Sequence, residues 1–379
     1  MSVEIREVRT RMERKLFIYF PEKLYEDRYP QWVHPIYQNE KSFFDPGKND
    51  AWSFSDGKLY LACRDGKPVG RVMALINHKL NKFQDKREAR FGFFDSVDDQ
   101  GVASALLGAA EEWARSKGCD RIVGPLGFTD MDPEGMLVEG FEERASIATW
   151  WHPPYTPALV ERAGYAKETD WVTYLVELSN PLPPVYAKIA KRLSSRTSYR
   201  LKEFAKRKEF KPSIEPIFAL INEAYSHLYG FSPLSDEEIQ KVAATYIPIL
   251  DPRFVKAVTL DDQVVGFAIG IPDMTEGIRA ARGRLFPFGI FKILAARRRS
   301  KRLDMLLGAI KEGHRGKGLD VLMANALYVS ARKAKMTHSD SHHELEDNTR
   351  VRAEMDKLGG KIYKRHRVFY KELYPKGTL

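Results

Sequence analysis

The sequence predicts an α/β chain of the α+β type: two tandem domains, each a mixed, mostly antiparallel sheet flanked by helices. Three observations lead there. A hairpin pattern occurs twice, in residues 59–76 around Asp65-Gly66 and in residues 254–271 around Asp261-Asp262. Gly70 and Gly266 hold matching places 196 positions apart, and residues 160–165 echo residues 355–360, with Gly164 and Gly359 195 apart. That shared offset signals a duplication. Each half then continues as strand, helix, strand, helix and strand, an order that covers a sheet on both faces.

Taken in order, the first half (1–180) offers the hairpin, a strand at 90–94, a helix at 104–116 and a closing strand at 170–178. The turn before its helix reads Asp98-Asp99-Gln100-Gly101-Val102-Ala103. Gly101 and Ala103 are small enough for a ligand to approach, but two carboxylates repel phosphate. They suit a helix N-terminus, where Asp caps amides and complements the helix dipole. Residues 131–141 and the run Trp150-Trp151-His152-Pro153-Pro154-Tyr155 fall where this half's cleft would be, and are expected to fill it. Pro181, Pro183 and Pro184 then break regular structure. Residues 181–212 are expected as a linker and basic helix, since 185–211 carry ten Lys and Arg against two Glu.

The second half (213–379) repeats the layout with one addition. Between its hairpin and its next strand lies an insertion, 273–302. Within it, residues 279–302 hold nine Lys or Arg, no acid and the apolar run LFPFGIF. It is expected as a lid whose phenylalanines pack on the domain core; contact with an anionic membrane surface or with RNA are the alternatives. A strand at 303–310 then runs into a turn, Lys311 to Lys317, and a helix at 320–334. Gly313, Gly316 and Gly318 give the turn conformational freedom, the helix N-terminus adds partial positive charge, and His314, Arg315 and Lys317 are cationic. Such a junction suits a phosphate. Downstream, a strand at 336–343 leads through THSDSHHELE into Glu346-Asp347-Asn348, with Leu358-Gly359 beyond.

This turn, followed by Asn348 and Leu358-Gly359, resembles the GNAT N-acetyltransferase superfamily over residues 214–373, and the duplication makes the chain resemble a tandem two-domain member. The resemblance implies that Gly308, Ala309, Ile310, Gly313, His314, Arg315, Gly316, Lys317, Gly318, Leu319 and Asn348 bind acetyl-CoA or another acyl-CoA as co-substrate. Gly313 stands where the family has Arg or Gln. The implied reaction is acyl transfer, in the family's usual form N-acetylation, to a small-molecule or peptide amine. His343 and Glu346, with His342 and Glu344 beside them, are the expected acid–base residues. The family's tyrosine position holds Met355, with Tyr363 and Tyr370 nearby. The first half is expected to have lost cofactor binding. Two alternatives stay open: a transferase using aminoacyl-tRNA, and a non-catalytic acyl-CoA-binding module.

Composition sets the outer bounds. The chain has 379 residues, 43% hydrophobic and 30% charged, with a net charge of +10. Cys63 and Cys119 give no disulfide framework, which suits a reducing cytoplasm. The N-terminus carries no apolar signal core and no span reaches transmembrane length. No metal is expected, because adjacent histidines on a strand point to opposite faces.

Overall fold

A computed structural model describes residues 2–226 and 228–374. In chain order its first elements are β1 (Glu4–Glu7), α1 (Arg11–Tyr25), α2 (Tyr37–Phe43), β2 (Ser55–Arg64), β3 (Lys67–Asn77), α3 (His78–Gln84) and β4 (Glu88–Ser96). There follow α4 (Gln100–Ser116), β5 (Arg121–Gly124), β6 (Met136–Glu139), α5 (Tyr155–Arg162), β7 (Ala166–Glu177), α6 (Pro184–Arg196) and β8 (Arg200–Glu203). Then come α7 (Lys211–Ala224), α8 (Asp236–Tyr246), β9 (Val255–Leu260), β10 (Gln263–Pro272), α9 (Thr275–Ala280) and α10 (Gly289–Arg299). The chain closes with β11 (Arg302–Ile310), α11 (Leu319–Lys333), β12 (His338–Asp340), β13 (Glu344–Leu345), α12 (Thr349–Lys357) and β14 (Lys361–Glu372).

The described residues form two compact units: 2–172 with 275–295 and 363–374, and 173–226 and 228–274 with 296–362. The grouping differs from a linear division near residue 180, and pairing explains the difference. Strand β14, expected to close the second half, pairs antiparallel with β5, from Phe369 opposite Gly124 to Glu372 opposite Arg121.

In the first unit the sheet runs β1-β2-β3-β4-β5-β14. Asp65 (φ 50°) and Gly66 (φ 73°) are both left-handed, as a two-residue hairpin loop with the strands' twist requires. Side chains of β2 and β3 alternate. Ala62, Val72 and Ala74 face α4, which contributes Val102, Leu106, Leu107 and Ala110; Leu59, Leu61, Met73 and Leu75 face Phe17 and Ile18 of α1. A sheet covered on both faces reads as near-continuous apolar strands.

In the second unit the order is β7-β12-β11-β10-β9-β8. Its hairpin turns on Asp261 (φ 49°) and Asp262 (φ 62°), the same loop without glycine. One face packs Ile217, Leu220 and Ile221 of α7 against Val255, Ala257 and Phe267. The other packs Ala190 and Leu193 of α6 and Leu319, Leu322 and Met323 of α11 against Val258 and Val265. The stretch expected as linker and basic helix is thus built into this unit: Tyr186, Ala190 and Leu193 recur on one helical face and are buried, while Lys188, Lys191 and Arg192 point outward.

The insertion departs from expectation more sharply. Residues 275–295 group with the first unit, where Arg284 pairs with Glu22 at 2.8 Å, Arg282 pairs with Glu26, and the Tyr37 amide donates to the Gly283 carbonyl at 3.0 Å. Its phenylalanines do not pack on a core. Phe286, Phe288 and Phe291 are exposed. Among the described residues, no helix is long and apolar enough to cross a membrane.

Candidate functional site

Each unit holds the same device, a strand paired briefly with a parallel neighbour and then running into a turn and a helix. In the second unit β11 pairs with β12 only from Arg302 opposite His338 to Asp304 opposite Asp340. Beyond that point β11 continues to Ile310, held on its other edge by β10. Among the described residues no strand pairs with the β12 side of residues 305–310. Met305, Leu306 and Leu307 are half-buried and Gly308 is exposed. The main chain of Gly308 meets a side chain instead: the Tyr225 hydroxyl donates to its carbonyl at 3.0 Å and accepts from its amide at 3.2 Å. Ala309 lies opposite Phe267 of β10 and is buried in the core.

The turn after β11 is shaped by two left-handed glycines, Gly316 (φ 73°) and Gly318 (φ 85°). Gly318 is also sterically required, because a Cβ there would lie 2.9 Å from Cγ2 of Ile189 on α6. Gly313 and Gly316 face open space. As N-cap of α11, Gly318 offers no side-chain hydrogen bond, so the first amides of the helix keep their donors toward the turn. Of the expected cations, His314 is engaged through Nδ1, 2.9 Å from the Tyr199 hydroxyl, and Arg315 Nε donates to the Ile310 carbonyl at 3.1 Å. Both brace the turn. Lys317 is exposed and Leu319 is buried as its anchor. Uncapped amides at a helix N-terminus, with an exposed ammonium beside them, attract negative charge.

The expected strand 336–343 is shorter, because the chain leaves the sheet after Asp340. The Asp340 carboxylate accepts from the His342 amide at 2.6 Å and His342 takes φ 60°. The two histidine rings then lie 5.1 Å apart, so they are not on opposite faces of a strand as expected. Burial lifts the Glu344 carboxyl to about 8. Glu344 follows His343 directly in the chain and opens β13. The Glu346 carbonyl accepts from Arg352 at 2.7 Å. Asn348 caps α12, its Oδ1 accepting from the Val351 amide at 3.4 Å. Met355 lies within α12. Tyr363 and Tyr370 belong to the first unit, where the Tyr370 ring packs under Arg121 at 4.8 Å. Among the described residues one group has metal-ligand spacing, Glu22, Glu26 and His34, but Arg284 and Arg282 already pair with its carboxylates.

The first unit closes the equivalent space. Asp99 accepts from the Gly101 amide at 2.8 Å and the Val102 amide at 3.3 Å, and receives Arg64 at 2.6 Å. Those bonds hold its carboxyl below the usual range. All nine residues of β4 are buried. The chain after β5 lies directly on β4, with the Leu126 amide donating to the Phe91 carbonyl at 2.9 Å. A side chain on Gly92 would collide with the Leu126 carbonyl. The aromatic run completes the filling: Trp150 packs on Phe93 at 5.2 Å and Tyr155 donates to the Ser96 carbonyl at 2.8 Å.

Residues 21–126 match the model of the acetyltransferase (GNAT) family. The fold is also similar to that of a tandem GNAT protein from the clavulanic acid biosynthesis pathway, with a TM-score of 0.55 and 14% identity over 99% of this chain and 100% of that one. The chain is a tandem GNAT-fold protein. Two relatives match nearly end to end. A bacterial ceramide synthase of Caulobacter vibrioides is 28% identical over 375 residues, 97% of this chain and 96% of the relative. Protein YghO of Escherichia coli is 25% identical over 95% and 93%. The family match falls on the half whose turn is closed by its own carboxylate. Tyr225 and Tyr199 went unseen in the sequence because each is distant from the turn in the chain, by 83 positions from Gly308 and 115 from His314.

Proposed function

We propose that this chain is an acyl-CoA-dependent N-acyltransferase whose second unit holds the co-substrate. The observation that carries the reading is the uncapped N-terminus of α11, set at the end of a strand whose neighbouring edge is open. In that arrangement the amides at Gly316 to Leu319 and the Lys317 ammonium hold the diphosphate, and the pantetheine arm displaces the Tyr225 hydroxyl to pair with the Gly308 main chain. A bound acyl-CoA supplies an activated thioester carbonyl. The acceptor amine must attack uncharged, and Glu344, with a carboxyl tuned to about 8, takes up the departing proton. Met355 supplies no acid; a coenzyme A thiolate leaves without one.

The acceptor follows from likeness. Ceramide is an amide of a long-chain amino alcohol, and the relative bearing that name matches over nearly the whole of both chains. A long-chain amino alcohol is therefore the proposed acceptor, acylated by a fatty or acetyl thioester. The test is release of free thiol from palmitoyl-CoA and acetyl-CoA in the presence of sphinganine, with the amide identified by mass spectrometry. Binding of acyl-CoA with no amide from any amine would reduce the chain to a binding module. Absence of acyl-CoA binding would overturn the reading altogether.

A further inference from the structure

The insertion leaves four apolar side chains in solvent. Phe286 is 78% exposed, Phe288 69%, Phe291 65% and Leu294 40%. Phe288, Phe291, Leu294 and Arg298 follow one another at three- and four-residue spacing, which places them along one side of α10 and its entry. Three large rings in water are costly, because apolar surface gains by leaving it.

The loop that presents them is firmly held. The Gly283 carbonyl takes the Tyr37 amide, and Gly283 is left-handed and packed so closely that a side chain would strike the Pro35 carbonyl. Gly289 is packed likewise against the Arg284 carbonyl. The rings are therefore displayed on a fixed frame rather than on a loose loop.

Charge identifies the occupant. Of the nine cations in residues 279–302, Arg282, Arg284, Arg297 and Arg302 pair with acids. Arg279, Lys292, Arg298, Arg299 and Lys301 have no acid partner among the described residues, and the segment itself holds no acid. Rings flanked by unneutralised cations match a surface that is apolar beneath and anionic above. A protein partner would need a groove and matching acids for these residues; RNA would need bases stacked on rings, and burial in hydrocarbon is the better match for three rings with Leu294 beside them.

We propose that Phe286, Phe288, Phe291 and Leu294 insert into the interface of an anionic phospholipid bilayer, with Arg298 and Arg299 in the last turn of the same helix at its headgroups. The chain then lies on the membrane without spanning it. This inference stands apart from the proposed reaction, because its readout is binding rather than turnover.

The experiment is co-sedimentation of the full chain with phosphatidylcholine vesicles and with vesicles that also contain phosphatidylglycerol. Binding is expected to the anionic vesicles and to fall with salt. A Phe286→Ser, Phe288→Ser, Phe291→Ser variant should lose about tenfold or more, and Arg298→Glu, Arg299→Glu should lose the preference for anionic lipid. All five residues are solvent-facing, so an unchanged melting temperature certifies the fold. Wild-type protein that ignores anionic vesicles, or a triple serine variant that binds them undiminished, overturns the proposal. So does sedimentation velocity showing a wild-type dimer that the serine variant converts to monomer without any vesicle binding, or loss confined to RNA retention.

Discussion

The N-termini of α4 and α11 occupy equivalent places in two copies of one frame, yet only one of them carries a side-chain cap. At α4 the protein supplies its own anion: Asp99 accepts from two amides of the first turn and is backed by Arg64. At α11 the corresponding residue is Gly318, which has nothing to offer the amides and is pressed against α6. The strands differ in the same sense. All of β4 is buried beneath the chain that follows β5, whereas β11 exposes Gly308 and half-exposes the three residues before it. A helix N-terminus wants negative charge. One copy meets that demand with its own carboxylate; the other has no side-chain cap.

The largest expected effect concerns chemistry confined to the open copy. Glu344→Gln should lower kcat by about 100- to 10,000-fold, the usual loss on removing a general base, with acyl-CoA affinity unchanged. Because the wild-type carboxyl must lose its proton to act, the rate should climb as pH rises through about 8, and the variant should lose that limb. Stability gives a second sign. A carboxyl raised in the fold binds its proton more tightly there than when unfolded, so its contribution is complete below the ordinary 4.5 and fades as pH rises toward about 8. Glutamine copies the neutral form, so the variant should resist alkaline unfolding better than wild type. A full rate in Glu344→Gln would move the base to His343 or Glu346.

Next comes charge at the turn. Gly316 faces open space, so Gly316→Glu tests the anion cradle without a collision, although its left-handed φ makes any side chain somewhat strained. A carboxylate beside the diphosphate should weaken coenzyme A binding by about a hundredfold, as like charges a few ångströms apart near a surface are worth several kcal/mol. Calorimetry reads it directly. Undiminished affinity would mean the nucleotide sits elsewhere.

How far the sequence disclosed this contrast depends on the range of the interactions. The hairpins were legible because Asp65-Gly66 and Asp261-Asp262 act locally, and the glycine turn was legible because its dihedral demands are written in adjacent residues. The capping role of Asp99 was legible for the same reason: a cap bonds to amides two and three positions on. What stayed hidden is long-range. Nothing near His314 announces that Tyr199 will hold it, nor near Gly308 that Tyr225 will meet its main chain. The basic composition of residues 185–211 concealed an apolar face with few members, and so α6 read as a linker rather than as part of a core. The lid expectation failed because LFPFGIF has core composition but no surface to pack on.

The smallest effect is also the sharpest test of the comparison. Asp99→Ala removes the cap of α4 and should cost about 1 kcal/mol, the usual value for an N-cap, read as a modest fall in the unfolding midpoint. If an unoccupied N-terminus were sufficient for binding, that variant would also gain a second coenzyme A site in the first unit. It should not gain one, because freeing the amides leaves β4 sealed by Leu126 and the Tyr155 hydroxyl still on the Ser96 carbonyl. Calorimetric stoichiometry of one in both wild type and Asp99→Ala would place the difference between the copies in the strand edge as much as in the helix end. A stoichiometry of two would reduce it to a single carboxylate.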